Sequence, residues 1–566
     1  MCNPERFLFV RYYCSKKCQV IDWPTHKVYH TTLLEALSQD AESSKAAVSQ
    51  KKVFDADSTG IPELLSRAIA QDWVSVERML AEGADPAQCD DQGVTALHYA
   101  SFYGDFEGVQ ILLAFGSAKV LDNRYVPAEL QGSNANGFSC LHLAAMSGHV
   151  KTLEILILAG GPAVPRLLST EMGGISCLNV AIANGHQKVV EYLIKQTGKD
   201  LLFMIADDGR TCLHHAAECG RLEIVRYLVL EGGSELLLKR CDAGKSCLHS
   251  AAYFGNSEIS KFLANIGGAA LLQIKNLDEA TCFDVAAQRG HINVLKALIQ
   301  EGAAALPGIL EFDKSGISCL HFASKAGKLH IVQYLVQVFG KALLFKVTDE
   351  GATCVQYAAE QGNIKIVQFL SDVGGPELLL RTSTNGESCL YQAAKQGRVQ
   401  VVKALANAGG ESLLHLRTFD FGLSCLHISA QHGHLEVVRA LLDFGGVSLL
   451  LLKNYTGATC LHFAAGRGKL EVVQALVKDA GTALPALVEA DSSRLTCLHA
   501  AAIAGHLEVV KFLVRSCRGL IGMRSVSGKT ALDLALMAGH MEPARVLLAA
   551  SQQGRRAVSG RAAALR

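Results

Sequence analysis

The chain has 566 residues, enough for several globular domains, with 49% hydrophobic residues, 18 cysteines and a formal net charge of +1. That balance gives no broad basic field of the kind that marks a nucleic-acid binder. No run approaches the ~20 apolar residues of a spanning helix, and the N-terminus lacks a signal peptide's long apolar region.

The first 31 residues stand apart from the rest. Cys14-x3-Cys18-x7-His26-x3-His30 gathers thiols and imidazoles at metal-ligand spacing. Residues 32–59 are polar and rich in small residues around Ser38 to Gln50, and read as a linker with a marginal helix at Leu33 to Leu37. Residues 61–86 carry a helix pair that caps the start of a long repeat array. In that array a tetrapeptide slot returns thirteen times, from Thr95-Ala96-Leu97-His98 through Ser139-Cys140-Leu141-His142 to Thr530-Ala531-Leu532-Asp533. From Cys140 onward the interval is 34 to 37 residues, most often 35. The first full interval is longer and holds an insertion near Asn123 to Gln131. A fixed period of this size predicts a stacked helical solenoid over residues 60–549. Residues 550–566, with Arg555, Arg556, Arg561 and Arg566 and no acid from Ser551 on, read as a disordered basic tail.

One repeat shows the parts. Ser246 is placed to N-cap a helix whose Leu248, Ala251 and Ala252 share a face. Gly255 ends it. Ile259, Phe262 and Leu263 form the apolar stripe of a second helix, and Gly267-Gly268 is expected to end that helix with left-handed backbone. Neither helix is long enough to stand alone, so stacking must supply the core. After the second helix come tails such as Ser234-Glu235-Leu236-Leu237, Pro376-Glu377-Leu378-Leu379 and Glu411-Ser412-Leu413-Leu414. Ser or Pro ahead of leucines predicts an added short helical turn that tucks one or two leucines under the stack.

The array resembles the ankyrin repeat. That family's Thr-Pro-Leu-His start is matched by Thr/Ser-Cys-Leu-His, and its Ala-Ala, Gly-His and Val-Val positions by Ala144-Ala145, Gly148-His149 and Val437-Val438. Two features depart from the family. Cysteine or alanine replaces the proline, and the usual period is 35 where the family has 33. The resemblance implies an all-α solenoid of about 13 repeats plus the capping pair, binding protein partners along its concave inner-helix face and loop tips. In the family the two residues before the mid-repeat glycine face that groove. Here they include Phe102, Tyr103, Tyr253, Phe254, Gln288 and Arg289.

At the N-terminus, Tyr13-Cys14-Ser15, Cys18-Gln19, Asp22-Trp23 and His26-Lys27 resemble the second half of a MYND-type zinc finger. That family holds two zinc ions in an interleaved arrangement and docks short proline-containing peptides. Its two upstream Cys-x2-Cys pairs have no counterpart; the nearer would fall at Glu5 and Leu8. By the resemblance Cys14 and Cys18 serve one ion, His26 and His30 the other, and Gln19 and Trp23 take the peptide-contacting places. Each zinc keeps two ligands, too few for a closed tetrahedral site. A truncated gene model, a degenerate finger and a rearranged single site all fit this pattern.

Eleven cysteines occupy the slot. Stacked helices lie about 8–10 Å apart, beyond the ~7 Å a disulfide spans, so these thiols are read as buried packing residues. A helix N-terminus lowers a thiol's pKa, so any exposed member is expected to gain some reactivity. The slot histidine is replaced by Asn179, Asp284, Gln356, Tyr391 and Asp533 in other repeats. A ladder of metal ligands would not tolerate tyrosine, whereas a hydrogen-bonding position would. The family's histidine bonds the Thr/Ser and neighbouring backbone, a role the resemblance carries over to this chain.

No nucleophile elbow, phosphate loop or unpaired acid/base cluster breaks the period. The reading is therefore a noncatalytic scaffold or adaptor, cytoplasmic and/or nuclear because many unpaired cysteines favour a reducing compartment. The alternative is a zinc-finger-linked recruiter of a ubiquitin- or methylation-type enzyme machinery.

Overall fold

Cys247–Phe254 and Ser257–Leu272 form the helix pair expected of the repeat that starts at Ser246. Seen in a computed structural model that describes residues 62–90, 93–116, 118–123, 137–168, 176–301 and 315–564, the same pair recurs through the chain. Among the described residues no strand forms; isolated bridges join Cys89 to Thr95 and Thr382 to Ser388. The described residues fall into two compact units. One runs to Cys282 and includes Asn293–Leu306; the other comprises Phe283–Ile292 and the chain from Pro307 on.

Within each unit, first helices pack on first helices. Cys212–Glu218 lies against Cys247–Phe254 in one unit, and Cys354–Gln361 against Cys389–Lys395 in the other. Small side chains permit this approach: Ala217 and Ala252, like Ala359, Ala394, Ala430 and Ala465, are fully buried. The slot leucines Leu213, Leu248, Leu390 and Leu461 are fully buried beside them.

The N-terminal pair, Glu63–Ile69 and Trp73–Ala81, packs on the helices of the first repeat, and Trp73 adds a polar tie. The Trp73 indole N–H donates to Asp105 at 2.7 Å. Its ring fills the space where a Cβ on Gly108 would come within 2.2 Å of it. At the other end the last helix runs Met541–Ala564, into the basic segment for which the sequence predicts disorder.

The leucine tails form the expected short turns. Leu236, Leu237, Leu378, Leu379, Leu413 and Leu414 are all buried. The glycine pair works differently from expectation. Gly267 remains helical, and Gly268 takes φ 49°, ψ −148°, outside the left-handed helical region. Gly233, Gly375, Gly410 and Gly446 do the same. This is a region that only glycine occupies readily. It redirects the chain so that helix resumes at once. The first glycine of the pair meets a separate demand: a Cβ on Gly267 would sit 2.5 Å from the Leu271 side chain. Gly255, by contrast, is the left-handed cap expected, at φ 83°, ψ 19°.

Candidate functional site

The slot histidine is a two-ended clasp. His249 Nδ1 accepts from the Ser246 backbone N–H at 3.2 Å, with the Ser246 hydroxyl 2.9 Å away. A nitrogen that accepts from N–H carries no proton, so Nε2 holds it and donates to the Ala280 carbonyl of the next loop at 3.1 Å. His214, His427 and His462 repeat this, donating to Lys245, Ala458 and Leu495. Gln356 reproduces both ends. Its Oε1 accepts from the Thr353 N–H at 2.5 Å, and its Nε2–H donates to Glu387 at 2.6 Å. Asp533, in the thirteenth slot, accepts from the Thr530 N–H at 2.8 Å but has no proton to donate onward. Both ring nitrogens of these four histidines are engaged by the fold, which leaves none for a metal. Burial, the largest cause, holds His214, His249, His321, His427 and His462 down to about 4.

The cysteine column explains the missing proline. Cys212, Cys247, Cys389 and Cys425 each donate S–H to a leucine carbonyl at the end of the preceding short turn, at 3.3, 3.6, 3.5 and 3.5 Å. Proline offers no donor and no thiol, so the added turn and the slot cysteine belong together. The eleven slot thiols are all buried, so the reactivity expected of an exposed member does not arise. Backbone N–H groups do pull Cys247 down, but burial is the larger effect and pushes it up to about 12. Cys89 is the exposed thiol among the described residues, and Cys517 is half-buried.

A further column lies just past the mid-repeat glycine. His186 Nε2 bonds the Met146 carbonyl at 2.8 Å, and His434 Nε2 the Lys395 carbonyl at 3.0 Å. Arg221 and Asn256 make the same reach to Ala183 and Ala217. Each side chain supplies a donor to carbonyls that a helix end leaves unsatisfied.

With His214, His249, His427 and His462 and the slot cysteines buried within the stack, the surface varies. Phe102, Tyr103 and Tyr253 are 40%, 59% and 37% exposed, Phe254 is half-buried, and Gln288 and Arg289 are exposed. Phe102 and Tyr103 meet edge-on at 5.2 Å, as do Tyr253 and Phe254 at 5.0 Å. All six occupy the ends of first helices, but the four aromatics do not form one patch. Three repeats separate the two aromatic pairs, and Gln288 and Arg289 belong to the other unit. Cys14, Cys18, Gln19, Trp23, His26 and His30 lie outside the described residues, as do the linker and most of the 123–131 insertion.

Sequence reasoning named the loop tips as a binding surface but singled out none of their residues. They are joined by a backbone ladder: Phe419 N–H donates to Asn385 at 2.9 Å, Tyr455 to Phe421 at 3.1 Å and Ser492 to Thr456 at 2.8 Å. On this fixed frame Phe419, Phe421 and Tyr455 are 63%, 59% and 60% exposed. Beside them opens a groove of about 710 Å³, with Leu451 and Leu452 apolar and Arg417 and Lys453 basic along it. A signal was present in the spacing, since Cys389 to Cys425 is 36 residues instead of 35. The added residue falls in the tip, where Asp420 accepts from the Phe421 N–H at 2.7 Å.

A sequence-family model described as Ankyrin repeats (3 copies) matches successive stretches from 65–164 to 478–556. A second, described as MYND finger, matches residues 9–30. Among curated proteins the chain is similar to NF-kappa-B inhibitor alpha of Sus scrofa, 34% identical over 84 residues, 15% of this chain and 25% of that protein. It is 33% identical over 84 residues to the Mus musculus protein, with the same coverage. With NF-kappa-B inhibitor cactus of Drosophila melanogaster it shares 32% over 101 residues, 14% of this chain and 20% of that one. The chain thus spans a quarter or less of the length of these curated relatives.

Proposed function

The chain belongs to the ankyrin-repeat family, and from that premise we propose that it is a noncatalytic scaffold or adaptor. Its protein partners bind along the ends of the first helices and the loop tips. One observation carries this reading. Recurring histidines such as His249 are taken up by stacking and the eleven slot cysteines are buried, whereas aromatic, amide and charged side chains vary at the exposed first-helix ends. Exposed aromatics in such places make strong anchors. The relatives named as NF-kappa-B inhibitors support a partner-binding role, but the shared stretch is too short to carry a partner over. Among the described residues no helix is long and apolar enough to cross a membrane. The setting we infer is cytoplasmic and/or nuclear, where thiols stay reduced.

The test is Tyr253→Ala with Phe254→Ala. Both side chains are partly exposed, so the helical circular dichroism should persist while partner recovery by crosslinking falls. Undiminished recovery would remove this pair from the interface.

The match to a MYND finger favours a second reading, recruitment of an enzyme machinery through residues 9–30. Cys14, Cys18, His26 and His30 are nitrogen and sulfur donors of the kind zinc takes. Gln19 and Trp23 would contact a peptide. Four donors fill one tetrahedron or leave two half-filled, so the purified chain should not hold two zinc ions tightly. Metal analysis checks this. One ion per chain, abolished by Cys14→Ser, identifies a single rearranged site. Two ions would show that other residues complete the finger.

A further inference from the structure

The ends of the first helices differ in chemistry between the two units. In the first unit they include Phe102, Tyr103, Tyr253 and Phe254. In the second, the same places and the position after the glycine hold Arg289, Lys325, Lys395, Arg398, Arg467 and Lys469, with Glu360 as an acid among them. In a chain of net charge +1 this is a local segregation of positive charge.

Contacts between neighbouring repeats carry the strip along the unit. A Cβ on Gly362 would fall 3.0 Å from the Arg398 side chain, and one on Gly433 would fall 2.7 Å from Lys469. Each glycine is the gap through which a basic side chain crosses onto the preceding repeat. Arg398 Nε donates to the Glu360 carbonyl at 3.1 Å, a neutral acceptor that leaves the guanidinium charge in place. Lys395 lies 3.8 Å from Glu387, so part of the field is internally offset. Lys325, Arg398 and Arg467 are exposed, and so is His432 between them. Burial first, then the neighbours His434, Lys395, Lys469 and Arg467, hold the His432 imidazole below its ordinary range, and its ring stacks on that of His434 at 5.9 Å.

We propose that this strip is the docking site for an acidic, extended segment of a protein partner. The inference rests on the adaptor reading and names the partner's chemistry. Stacked helices recur at about 10 Å, and three residues of extended chain at ~3.3 Å each span the same distance. A carboxylate at about every third residue would therefore meet successive repeats. Gln361, Gln396 and Gln431 interleave with the cations and offer amides to a peptide backbone. A single-stranded nucleic acid fits less well. It calls for aromatic stacking platforms, and the two residues before each mid-repeat glycine of this unit include no Phe, Tyr or Trp; Tyr357, farther back in its helix, already carries Lys325 over its ring at 5.7 Å.

The test uses the full chain and a fluorescein-labelled peptide repeating Glu-Ser-Gly, read by anisotropy at low and high salt. Wild type should bind the peptide and lose it as salt rises. Lys395→Glu with Arg398→Glu should weaken binding roughly tenfold or more, since reversed charges repel the segment. Lys365→Glu with Lys403→Glu makes the same charge change on exposed second-helix positions and should have little effect. Thermal unfolding checks the fold of each variant, and the single change Arg467→Gln carries the test if the double reversal disturbs folding. No binding by wild type, equal loss in both double variants, or tighter binding of poly-uridine RNA than of the peptide overturns the proposal. Crosslinking to cellular partners separates the two readings. A partner retained by Lys395→Glu with Arg398→Glu removes the acidic strip and keeps the adaptor; a wild type without any partner removes the adaptor.

Discussion

His249 shows how one residue type serves two structural ends and acquires a pH dependence as a by-product. Its neutral form is required, because Nδ1 must accept and Nε2–H must donate. Burial lowers its pKa from 6.5 to about 4. As pH falls below 6.5 the unfolded chain takes up the proton first, so stability present above 6.5 is lost progressively until the folded form also protonates near 4. The slope is roughly 1.4 kcal/mol per pH unit for each such histidine. The chain supplies its own control in Gln356, which makes both bonds without titrating. His249→Gln should therefore stay within about 1 kcal/mol of wild type at pH 7, since both hydrogen bonds survive. Urea unfolding at pH 7 and pH 5 should show a smaller acid loss for the variant. An unchanged acid loss would mean that His249 does not titrate in this way. The cysteines test burial directly. Among the described thiols, labelling of native protein should reach Cys89 first and the eleven slot thiols only on unfolding. Rapid labelling of most slot thiols would refute the packing role.

At the scale of the helix pair, the two glycines before each short turn act by different physics. Gly268 has open space around the Cβ position but φ 49°, ψ −148°. Gly267 is helical, but a Cβ there collides with Leu271. Gly268→Ala should cost ~1–3 kcal/mol through backbone strain alone. Gly267→Ala should also destabilise, through crowding. Combining each with Leu271→Ala distinguishes them: the cycle should show coupling for Gly267 and near-additivity for Gly268. Equal coupling would mean that the two glycines share one cause. The short turn after them buries two leucines and presents the carbonyl that the next slot cysteine caps. In those repeats the added turn and the slot cysteine act together.

Across the molecule, stability should be local. Repeats couple to their neighbours, so a defect spreads little along a stack. Leu248 is fully buried, and Leu248→Ala should cost ~2–5 kcal/mol. Hydrogen exchange should then rise most in Cys247–Phe254 and in the helices packed on it, Cys212–Glu218 among them. A uniform rise over all repeats would contradict nearest-neighbour coupling. Surface chemistry is equally local, with aromatics at first-helix ends of one unit and basic side chains at those of the other.

The sequence by itself determined the repeat. Slot, cap, glycine and leucine tail recur at fixed intervals, and helical periodicity, N-capping and left-handed glycine are local rules that each repeat states on its own. It also made the histidine clasp legible, because Gln356 and Tyr391 at that place exclude a metal ladder. Tertiary structure decided what needs a neighbour. The leucine carbonyl that takes the Cys247 thiol, the ladder that fixes Phe419 and Tyr455, and the crossing of Lys469 over Gly433 all join residues about one repeat apart or across a turn. So does the backbone of Gly268, whose unusual angles follow from the need to seat Leu271 and Leu272 beneath the stack. Periodicity says which residues are equivalent; only packing says which equivalent residues touch.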